Sequence, residues 1–261
     1  MQFASCAPGP PKAFYEPAGL PQNATASFHY SKGHDYLVKN LNDQAILEFK
    51  ESIRIEPTAA SAHHNLGIAY YGQGSFDLAV EALEEAKRLN PLHVRTHYWL
   101  GNANYAAQSF VKAADEYGQF IKLMENAGAR WDPMPFPLLQ ALAYLRAGQT
   151  TQAELLLEHL QQKVEVTMTG TGQAVFVGKS GLSSWGKTVA RYLVGEVGEE
   201  KVLGGSRKGE RVYADLFVGI NNIINNNLEK AKKHLLLYVQ KFGPNDWSYW
   251  IAKSELDNIE K

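Results

Sequence analysis

With 261 residues, 45% of them hydrophobic and 20% charged, the chain is long enough to build a core without a disulfide or a metal. Its 26 Lys and Arg against 27 Asp and Glu give a formal net charge of −1, with no block of like charge. This excludes a nucleic-acid or anionic-membrane partner held by bulk electrostatics. One cysteine cannot form an internal disulfide, and no run approaches the roughly 18 apolar residues of a transmembrane helix.

In chain order, residues 1–25 predict an extended tether, because this stretch is rich in Pro, Ala and Gly and lacks a helical period. Before the prolines stands Phe3-Ala4-Ser5-Cys6. It resembles the lipobox that closes a bacterial lipoprotein signal, in which the cysteine becomes the lipidated first residue. The charged and apolar parts of a signal are not present upstream. Cys6 is therefore read either as the lipidation site of a truncated signal or as a chance cysteine in an unstructured start.

From residue 26 a period of 34 governs the sequence. Gly33, Gly67 and Gly101 keep that spacing, as do Ala45, Ala79 and Ala113, each alanine twelve positions after its glycine. Helix breakers and caps lie between them at Asn40/Asn42, Gly72/Gly74/Ser75 and Ser109. A small residue on each of two successive helices allows the close approach of a tight helical hairpin. Tyr36 and Tyr70 follow their glycines by three, with Asn104 departing in the third unit, and Phe49, Leu83 and Tyr117 follow the alanines by four. Pro57 and Pro91 stop the second helices of their units. These landmarks resemble the tetratricopeptide repeat (TPR), which implies helix-turn-helix units stacked into a solenoid.

Residues 26–127 thus predict three repeats. Residues 128–163 predict a divergent fourth, with Ala141, Tyr144, Ala153 and Leu157 in the same order after the insert Ala129-Arg130-Trp131-Asp132-Pro133. Residues 164–211 predict a hairpin or loop around Gly170-Thr171-Gly172, followed by short helices over Trp185–Val194 and Glu199–Leu203. Residues 212–261 predict a C-terminal repeat, with Gly219 and Ala231 twelve apart and Gly243-Pro244 as its stop, and then a closing helix from Ser248 to Ile259 with a polar outer face. The expected fold is all-α, a TPR α-solenoid of about four to five repeats with a small hairpin or loop insert.

The C-terminal half reads WGKTVARYLVGEVGEEKVLGG from Trp185 and ERVYADLFVGINNIINNNLEKAKKHLLLYV from Glu210. Its pattern resembles bacterial TPR lipoproteins of the new-lipoprotein-I type. That resemblance implies an outer-membrane-anchored adaptor that gathers envelope enzymes. A competing motif overlaps it, since Gly181 to Thr188 satisfies the phosphate-loop pattern, in which backbone N–H groups, a lysine and a threonine hold phosphate and magnesium. Three residues separate the strand-like Ala174–Val177 from Gly181, so the expected strand–loop–helix context is poor.

No Ser/His/Asp or Cys/His spacing supports nucleophilic catalysis. His29, His63 and His97 recur at 34 residues, too far apart on successive helix pairs to share one ion, and read as structural. No metal site, cofactor or enzymatic activity is expected. The TPR resemblance places a concave groove on the first helix of each pair. Carried onto this sequence, its inward places are Ser27, Tyr30, His34 and Leu37, then Ser61, His64, Ile68 and Tyr71, then Arg95, Tyr98, Asn102 and Tyr105. Any one of these tyrosines either meets a partner or packs between helices. Tyr30 and His34 stand where a carboxylate clamp needs lysine and asparagine, and Trp99 where it needs arginine, although Asn65 matches and Arg95 keeps its charge. Protein or peptide segments with apolar anchors are the expected partners. The leading reading is a non-catalytic scaffold or adaptor, as a lipid-anchored envelope assembly factor or a cytoplasmic protein. Its rivals are a nucleotide-binding regulator and a structural subunit of a larger complex.

Overall fold

A computed structural model describes residues 25–127, 136–162, 167–168, 174–175, 182, 184–204, 213–244, 246 and 248–260. Within them the chain forms successive antiparallel helix pairs: α1 (Ala26–Val38) with α2 (Asn42–Ile55), α3 (Ala60–Gln73) with α4 (Phe76–Leu89), and α5 (Val94–Ala106) with α6 (Phe110–Asn126). A fourth pair is α7 (Phe136–Arg146) with α8 (Thr150–Gln162). After it come two antiparallel two-residue strands, β1 (Thr167–Met168) and β2 (Ala174–Val175), then α9 (Ser184–Leu193) and α10 (Glu199–Gly204). The fifth pair is α11 (Ala214–Ile224) with α12 (Leu228–Lys241), and α13 (Tyr249–Ile259) ends the chain. The TPR α-solenoid expected from the 34-residue period is the fold observed.

One turn closes all five pairs. The left-handed residue is Asn40, Gly74, Gln108, Gly148 and Asn226 in succession, at φ 57°, 84°, 62°, 73° and 57°. The next N–H reaches back five residues, as from Leu41 to the Tyr36 carbonyl at 2.9 Å, Ser75 to Tyr70 at 2.9 Å, Ser109 to Asn104 at 2.8 Å and Gln149 to Tyr144 at 2.9 Å. This six-to-one closure satisfies a carbonyl that the helix end would leave open. Asn104, which breaks the side-chain pattern, still supplies its backbone.

The small residue at the eighth place works through a large one sixteen positions later. A Cβ built on Gly33 would come to 2.8 Å of the Phe49 ring, on Gly101 to 2.5 Å of Tyr117, and on Gly219 to 2.7 Å of Leu235. In the fourth pair Ala141 faces the same role with Leu157, and both are fully buried. The apolar core falls into two clusters. One is built on Phe49, Leu66, Tyr71, Leu83 and Leu100 of the first repeats, and the other on Tyr117, Leu139, Leu142, Trp185, Phe217 and Tyr238.

The closing helix does more than end the stack: Lys253, Asp257 and Glu260 lie on its exposed side, while its other side packs on both clusters. Ile251, Ala252 and Leu256 join the C-terminal cluster, while Trp250 packs against the N-terminal one. Its Glu255 is only 1% exposed. Its partners lie 109 and 150 residues upstream, where no repeat register points.

Candidate partner-binding face

The first helices of the pairs lie side by side, α1 against α3 and α3 against α5. Cross-helix contacts knit this layer. Asn65 Nδ2 donates to the Tyr30 hydroxyl at 3.1 Å, His64 Nδ1 meets Thr96 Oγ1 at 3.0 Å, and the Tyr71 and Trp99 rings meet edge-on at 5.5 Å. The expected inward places divide by exposure. Ser27, His34, Ser61 and Arg95 are exposed, Tyr30, Leu37, Ile68 and Tyr98 half-buried, and His64, Tyr71, Asn102 and Tyr105 buried.

The buried members have internal work. The Thr96 hydroxyl sits between His64 Nδ1 and His93 Nδ1, 3.0 and 2.7 Å away, and bridges the two imidazoles. Burial, with the charges of His93 and Arg95 added, pushes the His64 pKa down to about 3. The ring is therefore neutral at physiological pH. Tyr71 is packed among Phe76 and Trp99. Asn102 Oδ1 accepts from the Tyr117 hydroxyl at 2.8 Å. Tyr98 stacks with Trp99, Phe120 and Phe136 at centroid distances of 5.2–5.6 Å.

Tyr105 belongs to a polar joint that sequence reasoning missed. Its hydroxyl donates to Glu255 Oε1 at 3.0 Å, while Arg146 Nε and Nη2 reach the two oxygens of the same carboxylate at 2.7 and 2.8 Å. Burial works against the charge on Arg146, but the Glu255 hydrogen bond and charge outweigh it and hold the guanidinium ionised. The Phe110 ring lies 4.7 Å beneath that guanidinium. Beside the joint, Gln108 Nε2 donates to Asn258 Oδ1 at 2.6 Å and Phe76 meets Trp250 edge-on at 5.7 Å. One signal was available in the sequence: at the turn position 34 residues after Gly74 stands Gln108, a poor left-handed residue.

The recurrent histidines latch their own repeats. His29 Nδ1 meets Glu48 at 2.7 Å and His97 Nδ1 meets Glu116 at 2.7 Å, in both cases nineteen residues on. In the fifth pair the roles are exchanged, with His234 on Asp215 at 2.9 Å. The second repeat has Ala82 at the carboxylate position, and His63 bonds the Pro57 carbonyl instead. The Glu116 hydrogen bond raises the His97 pKa. Burial works to raise Glu116, yet the bonds from His97 and Lys87 leave it lowered. Among the described residues no group of three or more His, Cys, Asp or Glu is placed to hold a metal.

Around the phosphate-loop pattern, Gly181 and Ser183 lie outside the described residues. Trp185 is buried and donates its indole N–H to the Val202 carbonyl at 3.2 Å, while the Thr188 hydroxyl is turned to the Ser184 carbonyl at 3.2 Å within its own helix. Also outside the described residues are Cys6, the tether over 1–24, the insert over 129–133 and the turn over 170–172. No helix among the described residues is long and apolar enough to cross a membrane.

Comparison with known proteins locates the repeats independently. A tetratricopeptide-repeat family matches residues 64–120, and a TPR-repeat family matches residues 33–74. The comparison with curated proteins returned no match. Among solved structures, the chain is similar to the C-terminal part of a TPR repeat-containing protein from Cytophaga hutchinsonii. Identity there is 17%, covering 83% of this chain and 69% of that one, with a TM-score of 0.45. It is also similar to pilF of Pseudomonas aeruginosa, at 15% identity over 88% and 97% with a TM-score of 0.46. For yeast Tom70 the figures are 14% over 90% and 47%, with a TM-score of 0.41. The chain thus carries tetratricopeptide repeats over residues 33–120, and the shared turn and glycine register continues their helix-pair architecture through the later described pairs.

Proposed function

We propose that this protein is a non-catalytic scaffold that captures a protein segment on the layer formed by α1, α3 and α5. The observation that carries the reading is the exposed strip of that layer. Ser27, His34, Ser61 and Arg95 face solvent beside the half-buried Tyr30, Ile68 and Tyr98. Such a surface offers apolar anchors ringed by hydrogen-bonding groups, the anatomy of a recognition site. A peptide segment with one or two apolar side chains fits it better than a small polar metabolite does. Tyr71 and Tyr105 are packed internally and contribute by holding the layer in shape.

The test compares the full chain with a His34→Ala/Arg95→Ala variant in capture from native extract, with circular dichroism confirming equal helix content. The reading expects a defined set of captured proteins that the variant loses. A folded variant that retains the whole set overturns the assignment of this face. A magnesium–ATP titration by calorimetry addresses the nucleotide-binding rival, which heat of binding would revive. The envelope-anchored form of the scaffold rests on the sequence around Cys6 and on the resemblance of the segments from Trp185 and Glu210 to bacterial TPR lipoproteins, and intact mass of protein from its native source reads it directly through a lipid-sized increment.

A further inference from the structure

We propose that the cleft between the fourth and fifth helix pairs binds an extended segment of a partner protein, with an arginine side chain of that segment as its anchor. The site lies apart from the layer of α1, α3 and α5 and does not depend on it.

The cleft follows from the two short helices inserted between these pairs. α9 packs on α7 and α8, and α10 on α11, so the corner between α9 and α10 opens beside the turn ends of both pairs. The space measures about 630 Å³. That is the size of a site for a drug-sized ligand and far more than one guanidinium fills, so it also takes the residues on either side of an anchor.

Its lining is divided in the manner of a long basic side chain. Leu145, Leu193 and Val197 offer apolar surface to a methylene stem, and the amides beside them turn acceptors to the head group. Asn222 lines the cleft while only 5% exposed, and its Nδ2 donates to the Val218 carbonyl at 2.9 Å, so Oδ1 is the end left for a ligand. Asn225 repeats the arrangement about one turn on, with Nδ2 on the Asn221 carbonyl at 2.8 Å. No donor among the described residues meets either oxygen. Neither amide can flip to offer a donor without giving up its own bond, so the two together select a ligand that donates.

Charge points the same way. The carboxylates of Glu154, Glu199 and Glu200 line the cleft against one cation, Lys230, whose Nζ lies 3.4 Å from Glu199. Glu199 and Glu200 begin α10 and so also offset the positive end of that helix. Glu154 stands in the second turn of α8, where no helix end needs it, and no cation among the described residues pairs with it. Among the described residues no three carboxylates are close enough together to hold a metal ion, which leaves an organic cation. A guanidinium brings five N–H donors and a positive charge to such a set of acceptors.

The experiment is an NMR titration of the isotope-labelled full chain with the capped peptide acetyl-Gly-Arg-Gly-amide, following the side-chain amides of Asn222 and Asn225. The proposal expects saturable shifts of both signals, and at least tenfold weaker binding when citrulline, uncharged but of the same shape, replaces the arginine. Methylguanidinium, which lacks the flanking residues, should also bind at least tenfold more weakly. No saturable shift, or equal binding of the citrulline peptide, overturns the site. Methylguanidinium binding as tightly as the peptide makes it a site for a small organic cation and overturns the partner segment. A Glu154→Gln/Asn225→Ala variant changes two exposed positions and keeps Asn222, which also holds the Val218 carbonyl. With helix content confirmed by circular dichroism, it should bind the arginine peptide at least fivefold more weakly, and unchanged binding overturns the assignment. The scaffold face is tested separately at His34 and Arg95, so either reading can fail alone.

Discussion

The two ends of this solenoid are held by different kinds of contact. In α1 to α6 the decisive pairs are local in sequence: glycine to large side chain over sixteen residues, histidine to glutamate over nineteen, and turn N–H to carbonyl over five. The end of the chain adds pairs of another kind, in which Glu255 of α13 reaches back 109 residues to Arg146 on α7 and 150 residues to Tyr105 on α5. The first half follows nearest-neighbour repeat logic, in which each unit needs only the next. The second half closes the array on itself through one buried ion pair, and so is sensitive to single substitutions in a way the first is not.

The sharpest way to break this comparison is Arg146→Ala, which leaves the Glu255 carboxylate buried without its cation. Removing one partner of a buried pair costs about 3–5 kcal/mol. The expected loss is confined to α13 and the turns it packs on, read as faster exchange of the α13 amides while the exchange protection of α1 and α2 is unchanged. A uniform loss across both halves would erase the distinction.

Acid should act on the first half. His64 is neutral when folded, so its contribution is complete above pH 6.5 and is lost as pH falls toward about 3. The linkage relation puts that loss at up to about 3 kcal/mol by pH 4. His97 runs the other way: its raised value makes its contribution complete below pH 6.5 and fading as pH climbs through the folded pKa. Urea midpoints against pH should peak near 6.5, and His64→Gln should flatten the acid limb.

Smaller effects sharpen the repeat register. Gly101→Ala places a methyl 2.5 Å from the Tyr117 ring, within a fully buried contact. Overpacking costs about 1–3 kcal/mol, partly offset by about 1 kcal/mol of helix propensity, so a net loss of about 1–2 kcal/mol is expected in urea unfolding. Smallest of all, Arg88→Ala removes an exposed pair with Glu85 and should leave the midpoint unchanged.

The same contrast explains what could be read from the chain alone. Residues that recur, such as Gly33, Gly67 and Gly101, announce their role because identical surroundings demand identical solutions. The shared turn was legible at Asn40 and Gly74 for that reason, and so was the structural reading of His29 and His97. Exposure at the inward places was not legible. Leu37 and Tyr105 share one inward place, yet the first is half-buried and the second is buried with its hydroxyl on Glu255 of α13, a contact to which no repeat register points. Glu255 reads as a polar face residue by pattern because its partners, Arg146 and Tyr105, lie far upstream.

The most direct test of the scaffold claim is site-specific photo-crosslinking in the native cell, with the probe placed at position 95 on the proposed face and, as a control, at position 47 on α2, where Leu47 is 68% exposed. The account predicts discrete protein crosslinks from position 95 and none of comparable yield from position 47. No protein crosslink at 95, or the same products from both positions, would contradict it.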